Sequence, residues 1–131
     1  MPVSVDTLYT AVTVFKEARG EPRQCQILVA GVVKNRMTHK GKTAQAVVKE
    51  RGQFSWMPLV KGRTIRSEYD RLMLKSQSAD RKQLDNAMSI AKKVLQPDYD
   101  TGNNLYYFHS RKGRSYDVKC GNLYFSYNKQ R

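Results

Sequence analysis

Two glutamates lie four residues apart in "FKEARGEPRQ" (15–24), within a chain that has 11 Asp and Glu against 24 Lys and Arg. Glu17 follows an apolar run, and Gly20 and Pro22 lie just beyond it. The C-terminus of a helix disfavours a negative charge, and an apolar neighbourhood raises a carboxyl pKa. A glutamate placed there can hold its proton near neutrality and act as a general acid. The competing assignment is a surface ion pair, with Arg19 or Arg23 supplying the cation. Glu21 precedes Pro22 and is expected to cap or charge the start of the next helix.

The other acids have structural assignments. Asp6, Glu68, Asp70 and Asp80 fall at predicted helix starts, where a carboxylate stabilises the dipole. Asp85 belongs to a solvated helix face, Asp98 and Asp100 lie in a turn, Asp117 follows a basic loop and Glu50 ends a short helix. Cys25 and Cys120 are far apart and form no CxxC or Cys/His cluster, so no metal site is expected. Two small core residues are the favoured assignment of these cysteines, with one long-range disulfide as the alternative.

Periodicity gives the elements that must position Glu17. Ser4 is the expected N-cap of a first helix, with Asp6 in its first turn and Leu8, Ala11, Val12, Phe15 and Ala18 as its core stripe. At about 100° per residue, Glu17 points roughly 180° from Leu8, on a face with Thr10, Thr13 and Val14. Gly20 is the expected stop, and Pro22 suits the first turn of a second helix over 22–37. The stretch "ILVAGVV" (27–33) is apolar all round, which predicts that this second helix is the buried centre of the fold. Gly31 inside it implies close backbone packing.

A short helix is expected over 43–50 and an irregular loop over 51–62. Ser67 is expected to cap a helix to Gln77, with Tyr69, Leu72 and Met73 inward. Asp80 is expected to cap another to Leu95, with Leu84, Ala87, Met88, Ala91, Val94 and Leu95 inward and Pro97 as its stop. Residues 97–104 read as turns, and "LYYFHS" (105–110) and "LYFSY" (123–127) as aromatic strands. On the first strand Tyr107 and His109 share a face and Phe108 takes the other. The fold class is therefore α+β: one mostly helical domain over 1–131, with a small antiparallel sheet near the C-terminus.

The 40% apolar and 27% charged content is globular. A formal net charge of +13 should attract polyanions, whether nucleic acid, anionic lipid or an anionic cell wall. Residues 1–20 lack the continuous apolar core of a secretory signal, and no stretch approaches the length of a membrane span.

Taken in order, the motifs form a pattern. "EARGEP" followed by the "LVAGVVKNR" helix, "GQFSW" (52–56), "DYDTGNNLYYFHS" (98–110) and "CGNLYF" (120–125) resemble the bacterial cell-wall hydrolase family that includes the spore-cortex-lytic enzymes. The resemblance runs from about residue 8 to 127. It implies a lysozyme-like catalytic core that cleaves peptidoglycan glycan strands, with Glu17 matching the catalytic acid. It also implies a groove lined by Gln53, Phe54, Trp56, Tyr107 and His109. Core packing is an equal assignment for Phe54, and a structural role is the commoner one for a lone histidine such as His109. Leu123 stands where family members carry His, and the basic "SRKGRSYD" replaces a Pro-x-Trp.

Retaining and inverting glycosidases need two carboxylates, roughly 5–5.5 Å or 6.5–9.5 Å apart. The sequence offers one good acid, and Glu21 is the only nearby candidate for a second. The expected activity is therefore a lytic transglycosylase that cuts after N-acetylmuramic acid and leaves 1,6-anhydro ends. Muramidase-type hydrolysis with Glu21 is the alternative. No metal or organic cofactor is expected. The expected partners are peptidoglycan strands and the anionic wall surface, met through basic loops by a monomer. A bacteriophage lysin, released through a holin or carried on the virion, is the expected setting. A rival from another class is a nucleic-acid-binding module that uses "KGRTIR" (61–66) and "SRKGRS" (110–115) on phosphates and aromatic strands on bases. No RRM, KH, helix-turn-helix or zinc signature supports it.

Overall fold

The computed structural model describes residues 3–50, 64–75 and 77–128. Among them are five helices, α1 (Val5–Ala18), α2 (Arg23–Lys40), α3 (Ala44–Val48), α4 (Ile65–Lys75) and α5 (Ser78–Val94). Three strands follow, β1 (Tyr107–His109), β2 (Val118–Cys120) and β3 (Leu123–Ser126). The mostly helical α+β class expected from the sequence is the class observed.

Ser4 caps α1 by accepting from the Thr7 N–H, and Leu8, Ala11, Val12, Phe15 and Ala18 are all buried. The central helix, however, is α1 rather than α2. It packs against α2, α3, α4 and α5, and every residue from Leu8 to Phe15 is buried. Thr10 and Thr13 tolerate this because their hydroxyls donate to the carbonyls of Asp6 and Tyr9, one turn back. In α2, Ile27 and Leu28 remain half-buried despite the apolar run. A methyl on Gly31 would meet Thr101 at 3.6 Å, an ordinary contact, so space does not demand a glycine there.

Two caps differ from expectation. The Thr64 hydroxyl accepts from the Ser67 N–H at the start of α4, while the Ser67 hydroxyl turns back to the Thr64 carbonyl. Helix α5 opens at Ser78, with Asp80 in its first turn rather than at the cap, where it pairs with Arg19.

The sheet is antiparallel in the order β1-β3-β2. Its short middle segment in sequence, β2, carries no aromatic run and was not expected. Phe108 faces Phe125 across the pair, on the core side, with ring centroids 5.9 Å apart. His109 stacks on Tyr124 on the opposite face, as the two-residue alternation requires. The cysteines form a disulfide and are not two separate core thiols. The β2–β3 turn docks beside the start of α2, which brings the Cα atoms of Cys25 and Cys120 to 5.5 Å, inside bonding range.

Candidate active site

Glu17 sits in the last turn of α1. Its face of the helix is buried at Thr10, Thr13 and Val14, and Glu17 itself is half-buried. The buried stretch thus delivers one carboxyl from the protein interior to the corner between α1 and α2.

The neighbouring cations have partners on other helices. Lys16 pairs with Glu68 at 3.0 Å, and Glu68 is fully buried. Arg71 grips the same carboxylate with Nε at 2.7 Å and Nη2 at 3.0 Å. Burial pushes the Glu68 carboxyl up, but hydrogen bonds from Arg71 and Lys16, with their charges, outweigh it and leave the pKa lowered. Arg19 and Arg23, the cations expected beside Glu17, both reach α5. Arg19 meets Asp80 at 3.3 Å and lies over the Phe15 ring, and Arg23 donates to Asn86. They sit past the end of α1, where the chain turns along α5.

Glu21 does not cap α2. The N-cap is Pro22, with no side-chain cap bond. The Glu21 carboxylate instead accepts from the Asn122 backbone N–H at 3.0 Å and from its side-chain amide at 3.4 Å. Glycine suits the position between β2 and Asn122. Gly121 has φ +58°, and a Cβ there would crowd the Glu21 carboxylate. Glu21 and the Cys25–Cys120 bond therefore fasten the same turn of the sheet to the corner.

The expected groove residues do not all gather at that corner. Gln53, Phe54 and Trp56 lie outside the described residues. Tyr107 packs under the Arg36 guanidinium, 4.9 Å from ring centroid to Cζ, and Arg36 pairs with Glu50 at 2.9 Å. Arg36 is in the fourth turn of α2, about 20 Å along the helix from Pro22 at 1.5 Å per residue. His109 Nδ1 accepts from the Arg111 N–H at 3.2 Å, and Nε2 lies 3.3 Å from the Ser115 carbonyl. That pairing suits the neutral Nε2–H tautomer and braces the loop between β1 and β2. Tyr107 and His109 do share a face, as expected. Leu123, in the place of the family's His, is buried in the core.

Two residues that hold the scaffold around the site are not marked as such by the sequence. Glu68 was assigned to a helix dipole but is the buried anchor of Lys16. The only signal was its partner Arg71, three residues on. Asn35 ties α2 to the 101–105 turn, accepting from the Thr101 hydroxyl at 2.6 Å and donating to the Asn103 side chain and Leu105 carbonyl, both at 3.0 Å. Its signal was an amide ending an apolar helix, matched to the amide-rich "TGNN".

The sequence matches the Cell Wall Hydrolase family over residues 20–126. No curated protein and no solved structure matches it. The matched span takes in Glu21 and the sheet and begins just after Glu17.

Proposed function

We propose that this chain, which belongs to the cell wall hydrolase family, degrades peptidoglycan as a lytic transglycosylase with Glu17 as its acid. Glu17 donates its proton to the glycosidic oxygen that follows N-acetylmuramic acid. The C1–O bond breaks, and the oxocarbenium-like centre is assisted by the substrate's acetamido group. The Glu17 carboxylate then takes the proton of the sugar's C6 hydroxyl, whose oxygen closes on C1. A 1,6-anhydro ring results, no water is consumed, and one carboxyl serves as acid and then base.

The observation that supports this reading is the position of Glu21. A hydrolase needs a second carboxylate to act as nucleophile or to activate water. Glu21 is the nearest in sequence, and both its oxygens face Asn122 in the β2–β3 turn. Among the other acids, Glu68 is buried between cations, Glu50 pairs with Arg36 and Lys40, and Asp80 pairs with Arg19. Gln53, Phe54 and Trp56 are proposed as contacts to the glycan. The +13 charge supports electrostatic attachment to the anionic wall.

Mass spectrometry of digested walls tests the chemistry. Anhydro-muramic ends are expected. Reducing N-acetylmuramic ends throughout the digest would show hydrolysis and make Glu21 the candidate base.

A further inference from the structure

Three clefts of about 550, 640 and 290 Å³ meet at Tyr106, which lines all of them. They lie at the C-terminal end of α2, between the 97–106 connection and the residues that follow β3. The α2 residues that line them, between Lys34 and Lys40, lie about 18–27 Å along the helix from Pro22 at 1.5 Å per residue.

The charges around these clefts are already used. Lys34 donates to the carbonyls of Gln96 and Tyr99 at 2.6 and 2.5 Å. Lys40 and Arg36 both pair with Glu50. Asp98 is an exposed carboxylate in the lining and would repel an anion. A phosphate backbone needs uncommitted cations, and this surface offers few.

Neutral groups and aromatic rings remain. The side chains of Thr38, Asn104, Tyr106 and Tyr127 make no hydrogen bond with other described residues, and Tyr127 is 48% exposed. The Tyr106 ring is braced by His39, 5.2 Å away. Hydroxyls and an amide that both donate and accept, set among ring faces, match a ligand that is polar at its edge and apolar on its face. A pyranose is such a ligand, and an acetamido group suits Asn104.

We propose that the Tyr106 clefts are a second saccharide site, separate from the Glu17 corner, for an N-acetylated amino-sugar stretch of the wall glycan. Sugar faces lie on Tyr106 and Tyr127, and hydroxyl and acetamido groups bond to Thr38 and Asn104. The site holds one part of a strand while another is cut. The proposal rests on the family's peptidoglycan substrate and is independent of which carboxylate acts.

Titration of the full chain with tetra-N-acetylchitotetraose, followed by amide chemical shifts, tests it. Shifts are expected at Thr38, Asn104, Tyr106 and Tyr127, with a midpoint distinct from that of any shifts near Glu17. The double variant Asn104→Ala, Tyr127→Ala should weaken that midpoint about tenfold, in line with the loss of one ring and one amide contact. It should keep the melting temperature and the turnover of a short soluble glycan, and it should release more readily from intact walls. Shifts confined to the Glu17 corner, or a midpoint that the double variant leaves unchanged, would overturn the proposal. So would displacement of these same shifts by a short DNA duplex but not by the saccharide, which would make this surface a nucleic-acid contact. Product chemistry has no bearing on any of these outcomes, so failure here is separable from failure of the transglycosylase reading.

Discussion

The two ends of α2 are held by different kinds of bond. At the N-terminal end a disulfide joins Cys25 to the sheet, Arg23 reaches Asn86, and Glu21 closes on Asn122. Just before it, on α1, Lys16 is locked to Glu68. The corner is thus tied to the sheet, to α4 and to α5 by covalent or charged links. At the C-terminal end the described ties include no covalent bond: Arg36 and Lys40 share Glu50, Lys34 donates to carbonyls, and the neutral amide of Asn35 holds the 101–105 turn. A group that transfers a proton must be placed to within a fraction of an ångström, and stiff links on several sides supply that. A surface that only binds can be looser.

The largest expected effect separates chemistry from scaffold at the corner. Glu17→Gln should lower wall lysis, read as turbidity loss, by roughly 10²–10⁴ and leave the melting temperature unchanged. Glu21→Gln should do the reverse, because it weakens the staple on Asn122. If the Glu17 variant stays within a few-fold of wild type, the corner is scaffold alone.

Next comes the covalent tie. Cys25→Ser with Cys120→Ser reopens a loop spanning 95 residues in sequence, and chain-entropy reasoning sets the loss at about 4–5 kcal/mol. Urea unfolding would measure it. Reductant should destabilise wild type by a similar amount and leave the double variant untouched. Equal sensitivity of both would mean that the link adds nothing.

The ionic tie follows. Glu68→Gln strands Lys16 and Arg71 beside a buried amide, at a cost of about 3 kcal/mol, the lower end for breaking a buried pair because both cations keep some solvent contact. The native pKa of Glu68 is lowered, so its stabilisation is fully present above the ordinary glutamate value. It is lost as pH falls through the lower native value. Unfolding of wild type should therefore become easier as pH drops below about 4, and the Gln variant should show a shallower acid limb. Parallel limbs would remove Glu68 from the ties that matter.

The sequence showed the corner better than its fastenings. Glu17 stood out because a lone acid ended an apolar stripe, and that stripe follows from local periodicity. Its centrality did not, because a helix's number of neighbours depends on tertiary packing. Thr10 and Thr13 also looked polar, although their hydroxyls bond within the helix. The buried Lys16–Glu68 pair and the disulfide are illegible for the same reason: the partners lie 52 and 95 positions apart, and Arg71, three residues from Glu68, marks only the local half of its pairing. Asn35 and "TGNN" were both visible as polar residues, but their bond spans the chain.

The smallest effect belongs to the neutral Asn35 network at the other end. Asn35→Ala removes the acceptor of the Thr101 hydroxyl and the donor to Asn103 and Leu105. Removing one half-buried partner of a hydrogen-bond network costs about 1–3 kcal/mol. Asn35→Asp keeps the acceptor for Thr101 but turns a charge toward the Leu105 carbonyl, so it should cost more than Ala although its shape is nearly that of Asn. Because the native bonds are neutral, the Ala penalty should not fade with salt as the Arg19–Asp80 pair should. The damage should also stay local. Amide exchange should quicken over residues 101–106, and saccharide shifts at Tyr106 should weaken. Turnover of a short soluble glycan at the Glu17 corner should hold to within about twofold, since Asn35 lies roughly 20 Å along α2 from Pro22. If turnover falls in step with exchange at 101–106, the two ends of α2 act as one unit and the contrast between them is lost.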